Sequence, residues 1–284
     1  MKLVRYGPRG REKPGLVDAN GTLRDLSRHL YDTDHLALSE ESLDKFRKID
    51  PDILSDVGGD QRLGLPLRRV GKCVCIGLNY RDHAAEAGAQ PPKEPIIFMK
   101  ATSSLCGPND PIIIPKDSLK TDWEVELAVV MGRKAQHVSE KNALDYVAGY
   151  AIMNDVSERH FQTERGGQWV KGKSCDNFGP LGPWLVTRDE VPDPQNLRLW
   201  LDVNGERMQD GNTRDMIFSV AEIIAYVSQF MTLYPCDVIS TGTPAGVGLG
   251  KKPQRFLKPG EVVTLGVEGL GQQRQETIAW TASA

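Results

Sequence analysis

The chain has 284 residues, 39% hydrophobic and 26% charged, with a formal net charge of −3. That balance fits an ordinary soluble globular protein, and with no Lys/Arg run alternating with aromatics it excludes a nucleic-acid-binding stripe. Apolar runs such as residues 127–131 are far too short to span a bilayer, and the start, Met1-Lys2-Leu3-Val4-Arg5-Tyr6-Gly7, has no apolar core of signal-peptide length. A cytoplasmic protein with neither membrane nor nucleic-acid partners is expected.

In chain order, residues 2–6 and 14–17 read as short strands, with Asp18-Ala19-Asn20-Gly21 supplying turn chemistry. Residues 24–56 are polar and weakly periodic, which predicts short helices and loops. Leu65-Pro66-Leu67-Arg68-Arg69 reads as a linker, dividing the chain into a small α+β N-terminal domain, 1–69, and a main domain, 70–284. Beyond it, strands are predicted at 73–77, 95–99, 112–114, 124–131, 148–153, 184–186 and 197–203. The last is followed by Asn204-Gly205, a hairpin signal. Residues 220–231 form the clearest helix. Ser219 and Glu222 make a capping box, and Val220, Ile223, Ile224, Val227, Phe230 and Met231 share a face. Strands at 237–240, 262–267 and 275–279 complete the series. Many strands, few helices and no strand–helix alternation predict a mixed, mainly β, mostly antiparallel architecture and exclude a Rossmann or parallel barrel fold. The five scattered cysteines lack the two-residue spacer of redox or zinc motifs and read as reduced, packed thiols.

In Trp123-Glu124-Val125-Glu126-Leu127 the strand period of two puts both glutamates on one face. Side by side the charges repel, and a shared divalent cation removes the penalty. Asp155 ends another apolar run, where a strand end aims a side chain into a cleft. Three carboxylates with no His or Cys suit Mg²⁺, Mn²⁺ or Ca²⁺ rather than Zn²⁺. Taken alone, a Glu-x-Glu pair is more often a solvated face.

The helix-forming stretch Arg81-Asp82-His83-Ala84-Ala85-Glu86-Ala87 places His83 and Glu86 at i and i+3 on one face. A carboxylate on one imidazole nitrogen raises the basicity of the other, which can then take a proton from water. Gln90-Pro91-Pro92 ends the helix early, making it a candidate lid. Lys173 is a candidate cation for a developing enolate. Arg159 and Gln162, four and seven residues after Asp155, lie within helical reach of it and could grip a substrate carboxylate. Thr243, in a Gly- and Pro-bounded loop that lacks Gly-Lys-Ser/Thr, offers donors to a small anion rather than to a nucleotide.

In this order, Gly77-Leu78-Asn79-Tyr80 with His83 and Glu86, Phe98-Met99-Lys100, Glu124-x-Glu126, Asp155, Lys173-Ser174 and Gly242-Thr243-Pro244-Ala245-Gly246-Val247-Gly248 resemble the fumarylacetoacetate hydrolase superfamily over residues 70 to about 282. The resemblance implies a β-sandwich roll with a few peripheral helices, commonly a homodimer, holding Mg²⁺ or Mn²⁺. It implies Glu124, Glu126 and Asp155 as metal ligands and His83 with Glu86 as a water-activating pair on a lid. It also implies Lys173 as an active-site lysine, and Arg159, Gln162 and Thr243 as substrate contacts. The opening residues resemble the bacterial branch, which includes hydrolases of 2,4-diketo-3-deoxy sugar acids and proteins labelled ureidoglycolate lyase. The implied activity is metal-assisted C–C hydrolysis of a 2,4-diketo acid, such as an acylpyruvate, with a pyruvate enolate leaving. Two alternatives stand beside it. One is a lyase on the same site, acting on ureidoglycolate or decarboxylating oxaloacetate; the other is a non-catalytic protein that binds a metal and a keto acid.

Overall fold

A computed structural model describes residues 1–282. One ten-stranded sheet dominates. Across it run Leu23–Asp25, Lys13–Val17, Lys2–Tyr6, Gly179–Thr187, Val147–Asn154, Val125–Met131, Val238–Ser240, Cys73–Gly77 and Ile96–Lys100, with Leu105–Cys106 pairing to the side of Gly179–Thr187. A second sheet of five strands runs Glu206–Asn212, Arg198–Val203, Val262–Val267, Gly271–Ala279 and Ile112–Ile114. Most pairings are antiparallel; the parallel ones include Val238–Ser240 with Cys73–Gly77. The mixed, mainly β architecture is the one expected.

The strand Val125–Met131 is buried along its whole length because it feeds two cores. Val125, Leu127, Val129 and Met131 point toward the helix Val220–Phe230 and the second sheet. Ala128 and Val130 point the other way, toward Cys73, Cys75, Leu3, Leu16 and Phe46. Glu126 lies on this second face by the period of two, where the apolar row gives way to carboxylates.

The N-terminal strands extend the large sheet through the register Lys2↔Val186 and Leu3↔Leu185, and residues on both sides of position 70 share one core. Residues 24–56 contain the helix Glu40–Arg47, capped by Ser39, and a single turn at Pro51–Ile53. Asn204 and Gly205 both take positive φ, as a two-residue hairpin turn that follows the strand twist requires. The capping box of Ser219 and Glu222 forms as predicted. Phe230 departs from expectation: it lies at the edge of the apolar stripe in the last turn and is 61% exposed, packed edge-on against Tyr226. The strand predicted at 184–186 spans Gly179–Thr187, its proline- and glycine-rich first half still pairing with Val147–Asn154 across a register shift.

Candidate active site

Antiparallel register builds the carboxylate cluster. Met153 pairs with Glu126 and Asn154 with Val125; one step beyond the ladder, the Asp155 N–H donates to the Glu124 carbonyl at 2.9 Å. Two strand ends thus bring Glu124, Glu126 and Asp155 to one point, where each offers an oxygen and all three atoms lie within 4.8 Å of one another. All three side chains are buried.

Three buried cations answer them. Lys173 Nζ donates to Glu124 Oε2 at 2.6 Å and to Asp155 Oδ2 at 2.7 Å. Lys100 Nζ donates to Asp155 Oδ1 at 2.6 Å. Arg159 donates from Nη2 to Glu124 Oε1 at 2.7 Å and from Nε to Asp122 Oδ2 at 2.8 Å. Burial works to raise the Glu124 pKa, but the charges of Lys173 and Arg159 overcome it and hold that carboxyl well below its ordinary range. Glu126 feels the Lys173 charge but is not bonded to it. Among the described residues none forms an ion pair with it, and its Oε2 accepts only from Ser240 Oγ at 2.5 Å and the Gly242 N–H at 2.9 Å. Burial, reinforced by the Asp155 and Glu124 charges, pushes its pKa up to about 8.

The helix Arg81–Glu86 forms as predicted and places His83 Nδ1 3.5 Å from Glu86 Oε2. Glu86 also accepts the Gly246 N–H at 3.0 Å, and Asp82 Oδ2 accepts the Ala245 N–H at 3.3 Å, so the helix is latched onto the 243–246 loop. Burial acts to raise the Glu86 pKa; the hydrogen bonds from His83 and Gly246 prevail and lower it. Gly250 makes room for this carboxylate, since a Cβ there would lie 2.2 Å from Glu86 Cδ.

His83, Glu124, Glu126, Arg159, Gln162, Lys173 and Thr243 line one cavity of about 240 Å³. Asp155 and Glu86 stand one step behind, each bonded to a lining residue. A larger cleft of about 450 Å³ between Arg47 and Arg188 lies elsewhere. Among the described residues no other cluster of three metal-ligating groups forms.

Three supporting residues sit differently from expectation. Arg159 and Gln162 are not on a helix running from Asp155: Ser157–Glu158 pairs with Thr121–Asp122, and a wide turn, His160–Glu164, follows. They still adjoin, Arg159 Nη1 donating to Gln162 Oε1 at 3.0 Å, but the guanidinium is engaged by protein acceptors on three sides. The Thr243 hydroxyl donates to the Val125 carbonyl at 2.9 Å and accepts from Gln209 Nε2 at 2.7 Å, so its proton is not free for a ligand.

Lys100, Asp122, Ser240 and Gln209 join the site without a role expected from the sequence. Asp122 extends the Glu-x-Glu spacing back by one period of two, the local signal that marks it. Its carboxylate orients Arg159 and accepts the Gly248 N–H at 2.7 Å and the Leu249 N–H at 3.0 Å.

Residues 72–278 match the family described as fumarylacetoacetate (FAA) hydrolase C-terminal. A Burkholderia ambifaria protein provisionally named a hydrolase is 63% identical over 278 residues, covering 98% of this chain and 99% of its own. Among solved structures, the fumarylacetoacetate hydrolase of Exiguobacterium antarcticum superposes with a TM-score of 0.85 at 36% identity, covering 99% of this chain and 100% of that one. The maleylpyruvate hydrolase of Sphingobium sp. SYK-6, in complex with manganese(II) and pyruvate, superposes with a TM-score of 0.83 at 26% identity over the same shares.

Proposed function

Because the chain belongs to the fumarylacetoacetate hydrolase family, we propose that it is a metal-dependent hydrolase of a C–C bond in a 2,4-diketo acid, either an acylpyruvate or a 2,4-diketo-3-deoxy sugar acid. The observation that carries the reading is the convergence of Glu124, Glu126 and Asp155 beside a cavity that His83 also lines. The donor set fits a hard divalent ion, Mg²⁺ or Mn²⁺: it is all oxygen, and Glu126 is a buried carboxylate with no ion-pair partner among the described residues. When bound, such an ion supplies the positive charge that polarises a substrate keto oxygen and offsets the negative charge developing on it.

The chain's own residues supply the rest. Glu86 holds His83 Nδ1, leaving Nε2 to take a proton from water. The water oxygen bonds to C4 of the substrate as its proton passes to His83. The C3–C4 bond then breaks, its electron pair stays on C3 as the pyruvate enolate, and the proton on His83 returns to that carbon. Lys173 stays cationic: burial opposes its charge, but Asp155 and Glu124 raise its pKa, so the ammonium can accommodate the enolate oxygen. Arg159 is a positioning residue in this scheme, holding Glu124 and Gln162. Residues 70–284 carry the chemistry and residues 1–69 buttress the sheet. The working form is a cytoplasmic homodimer acting on a small keto acid.

The test is a panel of acylpyruvates, oxaloacetate and ureidoglycolate, assayed with Mg²⁺ and with Mn²⁺. A carboxylic acid plus pyruvate supports hydrolysis, whereas CO₂ plus pyruvate, or urea plus glyoxylate, gives the site to a lyase. His83→Ala is expected to lower kcat on acylpyruvates by about 10²–10⁴ while metal affinity stays nearly unchanged. Full activity in that variant would remove the pair from the mechanism.

A further inference from the structure

Besides its polar groups the cavity has an apolar lining, which includes Leu78, Ala89, Phe98, Trp169 and Leu249. The Phe98 and Trp169 rings meet edge to face with centroids 5.3 Å apart, and Lys173 Nζ lies 5.1 Å from the Phe98 centroid, so the aromatic wall begins at the ammonium. Gly77 lets the Trp169 ring lie against the strand, since a Cβ there would come within 2.7 Å of the indole. Leu78 holds a positive φ of 53°, a backbone where Gly or Asn fits with less strain, yet the position carries a large apolar side chain facing the cavity.

The polar groups on this surface are few and mostly engaged. The lining cations are Arg159, bonded to Asp122, Glu124 and Gln162, and Lys173, bonded to Glu124 and Asp155. The Thr163 hydroxyl donates to the Arg159 carbonyl, and the Thr243 hydroxyl to that of Val125. Among the described residues the lining side-chain donors with no protein hydrogen bond include Gln162 Nε2, beside Arg159, and the Trp169 indole N–H. A second carboxylate or a run of hydroxyls against these side chains would lose its water to a surface that offers the single indole N–H in exchange.

From this division we infer that the substrate is a monocarboxylate whose acyl group ends in hydrocarbon, with Trp169 as the residue that selects it. The inference rests on the proposed keto-acid chemistry and narrows it, against dicarboxylic and polyhydroxylated 2,4-diketo acids. Apolar area buried against the wall contributes about fourfold in affinity per added methylene.

The test is equilibrium binding to the Mg²⁺-loaded protein, read by calorimetry and by Trp fluorescence, with 2-oxo acids that need not turn over. 2-Oxohexanoate is expected to bind more tightly than pyruvate by about fourfold per carbon, and at least about tenfold more tightly than 2-oxohexanedioate or 6-hydroxy-2-oxohexanoate. Trp169→Ala removes most of the gain for 2-oxohexanoate and leaves pyruvate unchanged, while Trp169→Leu, which keeps an apolar wall, retains it. Equal or tighter binding of the dicarboxylate, no gain with chain length, no binding of any member, or a proportional loss of pyruvate in Trp169→Ala overturns the assignment. A protein that binds in this order yet cleaves no acylpyruvate retires the hydrolase reading alone. One that cleaves acylpyruvates but prefers the dicarboxylate retires the tail assignment alone.

Discussion

Lys100 Nζ lies 2.6 Å from Asp155 Oδ1, and both side chains are wholly buried. The ammonium also donates to the Val156 carbonyl at 3.0 Å, which pins it to the backbone beside the carboxylate. Lys100→Met keeps most of the side-chain volume and removes the charge. Breaking one half of a buried pair costs about 3–5 kcal/mol, and Lys173 still faces Asp155, so the lower end of that range is expected. Denaturant unfolding measures it. Saturating Mg²⁺ should restore part of the loss; an unchanged midpoint in metal-free buffer would show that the pair contributes nothing to stability.

Metal uptake should depend steeply on pH through Glu126. In the metal-free protein its carboxyl keeps a proton up to about pH 8, whereas an ion needs the carboxylate. Affinity for Mg²⁺ is therefore expected to rise about tenfold per pH unit below 8 and to level off above, with one proton released on binding. The stability of the metal-free protein runs the other way. A carboxyl whose pKa is raised on folding stabilises fully below its ordinary value, and that contribution is lost as pH climbs through about 8. Calorimetry in buffers of different ionisation enthalpy counts the proton. A flat affinity between pH 6 and 8 would rule out a protonated Glu126.

Gly250→Ala separates stability from chemistry. The atoms nearest the added methyl are Cδ, Cγ and Oε1 of the Glu86 side chain, which can swing aside, so Tm should move by no more than a few degrees. Displaced, Glu86 no longer holds His83 Nδ1 or the Gly246 N–H, and kcat should fall about as far as in Glu86→Gln with KM little changed. Wild-type kcat in Gly250→Ala would mean that the pair has no part in turnover.

Asp122→Asn replaces an acceptor of four N–H donors, those of Trp123, Gly248, Leu249 and Arg159, with a group that is half donor. A loss of about 3 kcal/mol is expected, together with weaker binding of 2-oxo acids, because Leu249 and Arg159 both line the cavity. Ligand affinity equal to wild type would confine Asp122 to a structural role.

What could be read from the chain was what local periodicity encodes. The Glu124-x-Glu126 spacing, the His83–Glu86 helix and the Ser219 capping box each lie within a few residues and appear where the pattern put them. What was missed depends on partners far along the chain. Nothing around Lys100 distinguishes a lysine buried against Asp155 from a solvated one, and Gln209 sits in a polar strand that reads as surface. Arg159 reads as within helical reach of Asp155, because Ser157–Glu158 can be seen as a strand only through its pairing with Thr121–Asp122. Likewise the glycines and prolines of Gly179–Thr187 read as loop punctuation, though non-local pairing keeps that segment in the sheet.

The seam between Lys2–Tyr6 and Gly179–Thr187 bears on how the molecule tolerates truncation. Excising residues 1–69 would turn the stretch from Leu185 to Thr187 into an open edge with bare N–H and C=O groups, and would uncover Leu181, Leu185 and Ala148 beside it. Such an edge invites a second copy to add a strand, so a shortened chain should precipitate or form mispaired aggregates rather than a smaller working enzyme.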